Sequence, residues 1–176
     1  MDGEYELFER CDGALNWRGV VQGLECAWVT MWLLGDEAPN ECCAVDWTAK
    51  EVALIRLPLR GAPRIFQIAY DGQIYPRARL LRQRGYDVTS VCGNGAAMFV
   101  LRMRPTYELF VIDGAAPEPV RSEMSCWLQS HYPKAKIIAL GSAQEDLADQ
   151  LRYSPAAQAG GRAAGVARHR SAGGAA

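Results

Sequence analysis

The sequence predicts an α/β fold: a doubly wound parallel sheet over residues 61–150, preceded by a small ββαββ module over residues 1–60. Three observations predict it. From Pro63 to about Leu147, short apolar runs alternate with stretches of helical periodicity, the pattern of β-α units joined by crossovers. The first sixty residues instead carry two pairs of strand-like runs around one helical stripe. Past Leu151 the pattern stops in an alanine- and glycine-rich stretch.

Element by element, Tyr5–Arg10 and Asn16–Val21 flank a Cys-Asp-Gly turn and read as a hairpin. From Gly23 to about Leu34, the residues Leu24, Ala27, Trp28, Met31 and Leu34 fall on one helical face. Asn40–Val45 and Glu51–Leu57 form a second hairpin across Thr48–Lys50, and Leu57–Pro63 is the linker. Trp17, Trp28, Trp32 and Trp47 are read as core rather than as a ligand-stacking patch. The second region opens with the strand Arg64–Tyr70, ending at Asp71. A helix over Ile74–Arg84 carries Ile74, Ala78 and Leu81 and is closed by Gly85. Then come the strand Tyr86–Val91, a helix over Gly95–Met103, the strand Glu108–Ile112, a helix around Val120–Ser130 and the strand Ala135–Leu140. No fifth strand is evident. Residues 151–176 contain no acidic residue and few large apolar ones, too little to offset the entropy of ordering, so a disordered tail is expected.

Composition narrows the function. The 176 residues are 49% apolar with a net charge of −1, which argues against a nucleic-acid surface. The longest apolar run, Cys26–Gly35, is too short to span a bilayer, and the acidic start MDGEYELFER lacks the order of a secretory signal. A cytoplasmic protein is expected. Six cysteines (Cys11, Cys26, Cys42, Cys43, Cys92 and Cys126) show no CxxC spacing, so free and mostly buried thiols are expected rather than zinc or disulfides. Arginine far outnumbers lysine, which occurs only as Lys50, Lys134 and Lys136.

The chemistry gathers on two aspartates. Ligands of a doubly wound sheet sit beyond the carboxyl ends of its strands, where the winding reverses. Asp71 follows the first strand of the second region and Asp113 the third. In the order 2-1-3-4-5 those strands are neighbours, about 4.8 Å apart. Two carboxylates there suit a hard cation such as magnesium, which lowers the repulsion that an incoming phosphoryl group meets.

Residues 63–145 resemble the receiver domain of two-component response regulators, a flavodoxin-like fold. The resemblance rests on Asp71, on "LLRQRGYDV", on "NGAAM" opening a helix, on "YELFVIDGAAP" with its D-x-x-x-P spacing, and on "HYPKAKIIAL". It implies phosphorelay signalling with Asp113 as phosphoacceptor. Magnesium would be held by Asp71, Asp113 and the backbone carbonyl of Ala115. The partner would be a sensor histidine kinase or another signalling protein, and there would be no enzymatic turnover. The chain departs from the family pattern. Tyr70 and Gly72 flank a single acid, only Ser142 stands near the place of the switch hydroxyl, and no lysine follows Lys136. These losses describe a degenerate or truncated receiver, which makes a phosphorylation-independent interaction module the alternative. The N-terminal segments "YELFE", "WRGVVQGLE" and the "NE" before "CCAV" resemble, more loosely, a small acidobacterial domain of unknown role.

Two further readings carry less. Gly93-Asn94-Gly95 evokes a dinucleotide-binding loop with Asp113 at about the ribose spacing, but Met98 replaces the third glycine. Cys92 has only His131 as a base within its region.

Overall fold

The computed structural model describes residues 3–103 and 106–140. The chain runs β1 (Glu4–Cys11), β2 (Ala14–Gln22), α1 (Gly23–Glu37), β3 (Glu41–Asp46), β4 (Glu51–Leu57), β5 (Arg64–Ala69), α2 (Ile74–Gln83), β6 (Asp87–Cys92), α3 (Gly93–Met103), β7 (Leu109–Ile112), α4 (Glu118–His131) and β8 (Lys136–Ala139). Each expected strand and helix has a counterpart within a few residues. The β1–β2 turn is the Asp12-Gly13 pair, both at positive φ (50° and 84°), the backbone that a tight hairpin demands and that Asp-Gly supplies.

The sheet departs from the expectation. All eight strands form one sheet in the order β2-β1-β3-β4-β6-β5-β7-β8. The stretch β6-β5-β7-β8 is parallel, and its first and third strands, β5 and β7, are neighbours as expected. The pairings β1–β2, β1–β3, β3–β4 and β4–β6 are antiparallel. The fold is therefore α/β with a mixed, mostly antiparallel sheet, which corrects the purely parallel one. Residues 1–60 and the region after them share this sheet edge to edge, through β4 on β6.

The join has a physical cause. In β4, Leu54, Ile55, Arg56 and Leu57 are buried in succession, as in a strand covered on both faces. Alternate residues Phe66, Ile68, Val91, Phe110 and Ile112 pack in one cluster with Trp28, Met31, Ala97, Val100, Met124 and Leu128 of α1, α3 and α4. The intervening Ile65, Val88 and Val111 are also buried and lie outside that cluster. There α2 covers β4 and β6 with Ile74, Ala78 and Leu81.

Two composition-based expectations need correction. The six cysteines are free, but only Cys42 is buried, while Cys26 and Cys126 are exposed. Trp28 and Trp32 are core residues in edge-to-face contact at 5.4 Å. Trp17, in β2, and Trp47, in the turn between β3 and β4, are exposed instead. Among the described residues, no helix is long and apolar enough to cross a membrane. Ser142, the fifth-strand region and the tail over 151–176 lie outside the described residues.

Candidate functional site

Strands β5 and β7 bring the two aspartates to one rim. Ile68 pairs with Ile112, and the Asp113 N–H extends that ladder by donating to the Ile68 carbonyl at 2.9 Å. Asp71 leaves the neighbouring strand two residues after Ala69. Its Oδ1 accepts from the Gln73 N–H at 2.9 Å, which fixes the turn into α2.

Between the two carboxylates stands Arg77, from the first turns of α2. Its Nη1 donates to Asp71 Oδ1 at 2.7 Å and its Nη2 to Asp71 Oδ2 at 3.2 Å. The same Nη1 also donates to Asp113 Oδ2. The second oxygen of Asp113 accepts from the Ala115 N–H at 3.2 Å. Both oxygens of Asp113 are thus engaged, and the residue is only 3% exposed.

Helix α2 is itself held from the side. The Tyr75 hydroxyl donates to Glu41 Oε2 at 2.6 Å and accepts from Arg10 Nε at 3.2 Å, which ties the helix bearing Arg77 to β1 and β3. Beside the aspartates, the Tyr70 hydroxyl donates to Asn94 Oδ1 at 2.6 Å. The Asn94 amide donates in turn to the Val120 carbonyl at 3.1 Å.

The electrostatics differ between the two acids. Burial pushes Asp71 upward, but the Arg77 hydrogen bonds, the Gln73 N–H and the Arg77 charge outweigh it and hold the carboxyl below its ordinary value. At Asp113 burial prevails over the same guanidinium, so its carboxyl lies above the ordinary value. Tyr70 is pushed up to about 12 by burial, with the Asp113 charge adding to it, so its hydroxyl remains a hydrogen-bond donor at neutral pH.

This arrangement does not fit a magnesium ion. Magnesium needs near-octahedral oxygen ligands with room for several waters, whereas a guanidinium fills the gap between Asp71 and Asp113. Among the described residues, no group of three or more His, Cys, Asp or Glu side chains gathers to hold a metal. Ala115 is exposed beside the site, and its N–H turns back onto Asp113. Arg77 thus bridges Asp71 and Asp113, a fixed organic cation in the gap where the resemblance implied an inorganic one. Ala115 meets Asp113 through its N–H rather than offering its carbonyl to a metal.

Sequence reasoning missed Arg77. The available signal was its place on the apolar-periodic helix directly after Asp71, combined with the surplus of arginine over lysine. The other candidates separate. Asn94, in the glycine-flanked loop, is taken up by Tyr70 and Val120, and α3 already begins at Gly93. Cys92 ends β6, while His131 ends α4 near the start of β8, at the opposite end of the parallel strands. There its ring stacks on Trp127 at 4.1 Å.

Comparison with known proteins returns no match, whether against family models, characterised sequences or solved structures.

Proposed function

We propose that the chain is a receiver-like protein-interaction module that works without phosphorylation and docks a sensor kinase or another signalling protein. The observation that carries this reading is the Arg77 guanidinium lodged between Asp71 and Asp113. A phosphoacceptor needs a free carboxylate oxygen and a cation that can also touch the incoming phosphoryl group. Here both Asp113 oxygens are engaged, and the neutralising charge is covalently fixed to α2. The receiver likeness draws support from the β6-β5-β7-β8 order, which is second-first-third-fourth for the parallel strands, and from the acids at the ends of β5 and β7.

The test is chemical. The purified chain is treated with acetyl phosphate and magnesium and weighed by mass spectrometry. No Asp113-dependent gain is expected, and magnesium is expected to leave the melting temperature unchanged. In Arg77→Ser the gap opens, and magnesium should then stabilise the fold. A labile adduct on the wild-type chain that disappears in Asp113→Asn would overturn the reading in favour of a phosphorylated switch.

A further inference from the structure

The opposite end of the parallel strands holds a second group of arginines, which the preceding reading does not use. A cleft of about 470 Å³ lies between the end of α1, the β4–β5 connection and the starts of β5 and β6, lined among others by Trp32, Asp36, Arg56, Arg60, Arg64 and Asp87. Its floor is built rather than incidental. Arg56 is 3% exposed, donates from Nη2 to Asp87 Oδ2 at 3.0 Å, and lies over the Trp32 ring at 4.4 Å. Its Nε is buried without a hydrogen-bond partner among the described residues.

The walls are positioned but not neutralised. Arg60 donates from Nη2 to the Asp36 carbonyl at 3.0 Å, and Arg64 from Nη1 to Thr106 Oγ1 at 3.1 Å. The Arg64 guanidinium carbon sits 5.8 Å from the Trp32 ring centre. Just behind, Arg82 donates from Nε to the carbonyl of Pro58 at 3.1 Å, and Pro58 lines the same cleft. Each of these three arginines is anchored by one neutral acceptor and makes no ion pair among the described residues. A guanidinium has five N–H donors, so each keeps donors to spare and its full charge. Arg56 cancels Asp87, and among the described residues Asp36 is the single remaining carboxylate of the lining. The excess is positive, in a concavity of small-ligand size.

We infer that this cleft binds a small phosphate-bearing anion through Arg60 and Arg64. The fork of a guanidinium matches two phosphate oxygens at once, and two such forks lining one cleft favour an anion with at least two phosphoryl groups.

Isothermal titration of the full chain with pyrophosphate at low ionic strength tests this, with adenosine diphosphate as a second arm. Saturable one-to-one binding is expected, weakened about tenfold or more in Arg60→Ser/Arg64→Ser, since one charged hydrogen bond is worth about a factor of ten or above. Lys50→Ser, at the far end of β4, should leave binding unchanged. Equal affinity for both probes would assign recognition to the phosphates alone; tighter binding of the nucleotide would add a contact to its ring system. Should the double variant not fold, Arg64→Gln, which alters one exposed side chain, takes its place. No binding of either probe to the wild-type chain, or binding unchanged in the arginine variants, overturns the inference.

Discussion

Two arginines neutralise buried aspartates at opposite ends of the parallel strands, and they do it differently. At the start of β6, Arg56 meets Asp87 one to one, with Nη1 and Nη2 on the two carboxylate oxygens and Trp32 stacked against the guanidinium. At the ends of β5 and β7, Arg77 is divided between Asp71 and Asp113. The first is a matched fork in a nearly closed setting, with side chains 4% and 10% exposed. The second serves two acids, one of them, Asp71, 35% exposed. The difference teaches that the first arrangement is a structural rivet joining β4 to β6. The second keeps a surplus negative charge near solvent at the carboxyl ends of β5 and β7.

The largest effect belongs to the rivet. Arg56→Met should destabilise the fold by about 3–5 kcal/mol, because it strands the Asp87 charge in the interior. Urea unfolding measures the loss, and Arg56→Met/Asp87→Leu should recover most of it. Should the single variant unfold no more easily than the wild type, the contrast between the two ends would collapse. Arg77→Met comes next, at about 2–3 kcal/mol, since it leaves Asp113 unpaired while Asp71 retains access to water. Adding Asp113→Asn should restore more stability than adding Asp71→Asn, which sharpens the contrast within the pair itself.

Acid titration separates the two acids more finely. A carboxyl held below its ordinary value stabilises the fold above that value, and the contribution is lost as pH falls through the folded-state pKa. This describes Asp71. A carboxyl held above its ordinary value behaves oppositely: its contribution is greatest at low pH and fades as pH rises through the raised pKa. This describes Asp113. In unfolding series between about pH 7 and pH 3, Asp71→Asn should therefore lose less stability on acidification than the wild type, and Asp113→Asn more. The smallest effect is Asp71→Asn at neutral pH, under about 1 kcal/mol, as for other pairs open to solvent.

Much of this architecture was legible in the sequence because the signals are local. The apolar run Leu109–Ile112 ending on Asp113, the Asp12-Gly13 turn and the stripe Leu24–Ala27–Trp28–Met31 each declare their element without outside help. The convergence of Asp71 and Asp113 was also accessible, since it follows from one topological rule. The β4–β6 pairing was not. Strand partners far apart in sequence leave no periodic trace, and the one clue was that Leu54–Leu57 reads as buried on both faces. Arg56 obscured that clue, for a charged residue within such a run suggests a solvent-facing side until its partner Asp87 is known. Arg77 escaped for a related reason: a charge on an amphipathic helix is ordinarily solvated, and only the tertiary fold turns this one inward.

The antiparallel seam between β4 and β6 has a practical consequence for anyone cutting the gene. A fragment beginning near Gly61 would bare the long flank of β6, strip Val88 and Val91 of the neighbours that β4 supplies, and maroon Asp87 without its counter-ion. Such an open, apolar flank invites indiscriminate strand addition, so the shortened product should precipitate more readily than the intact chain.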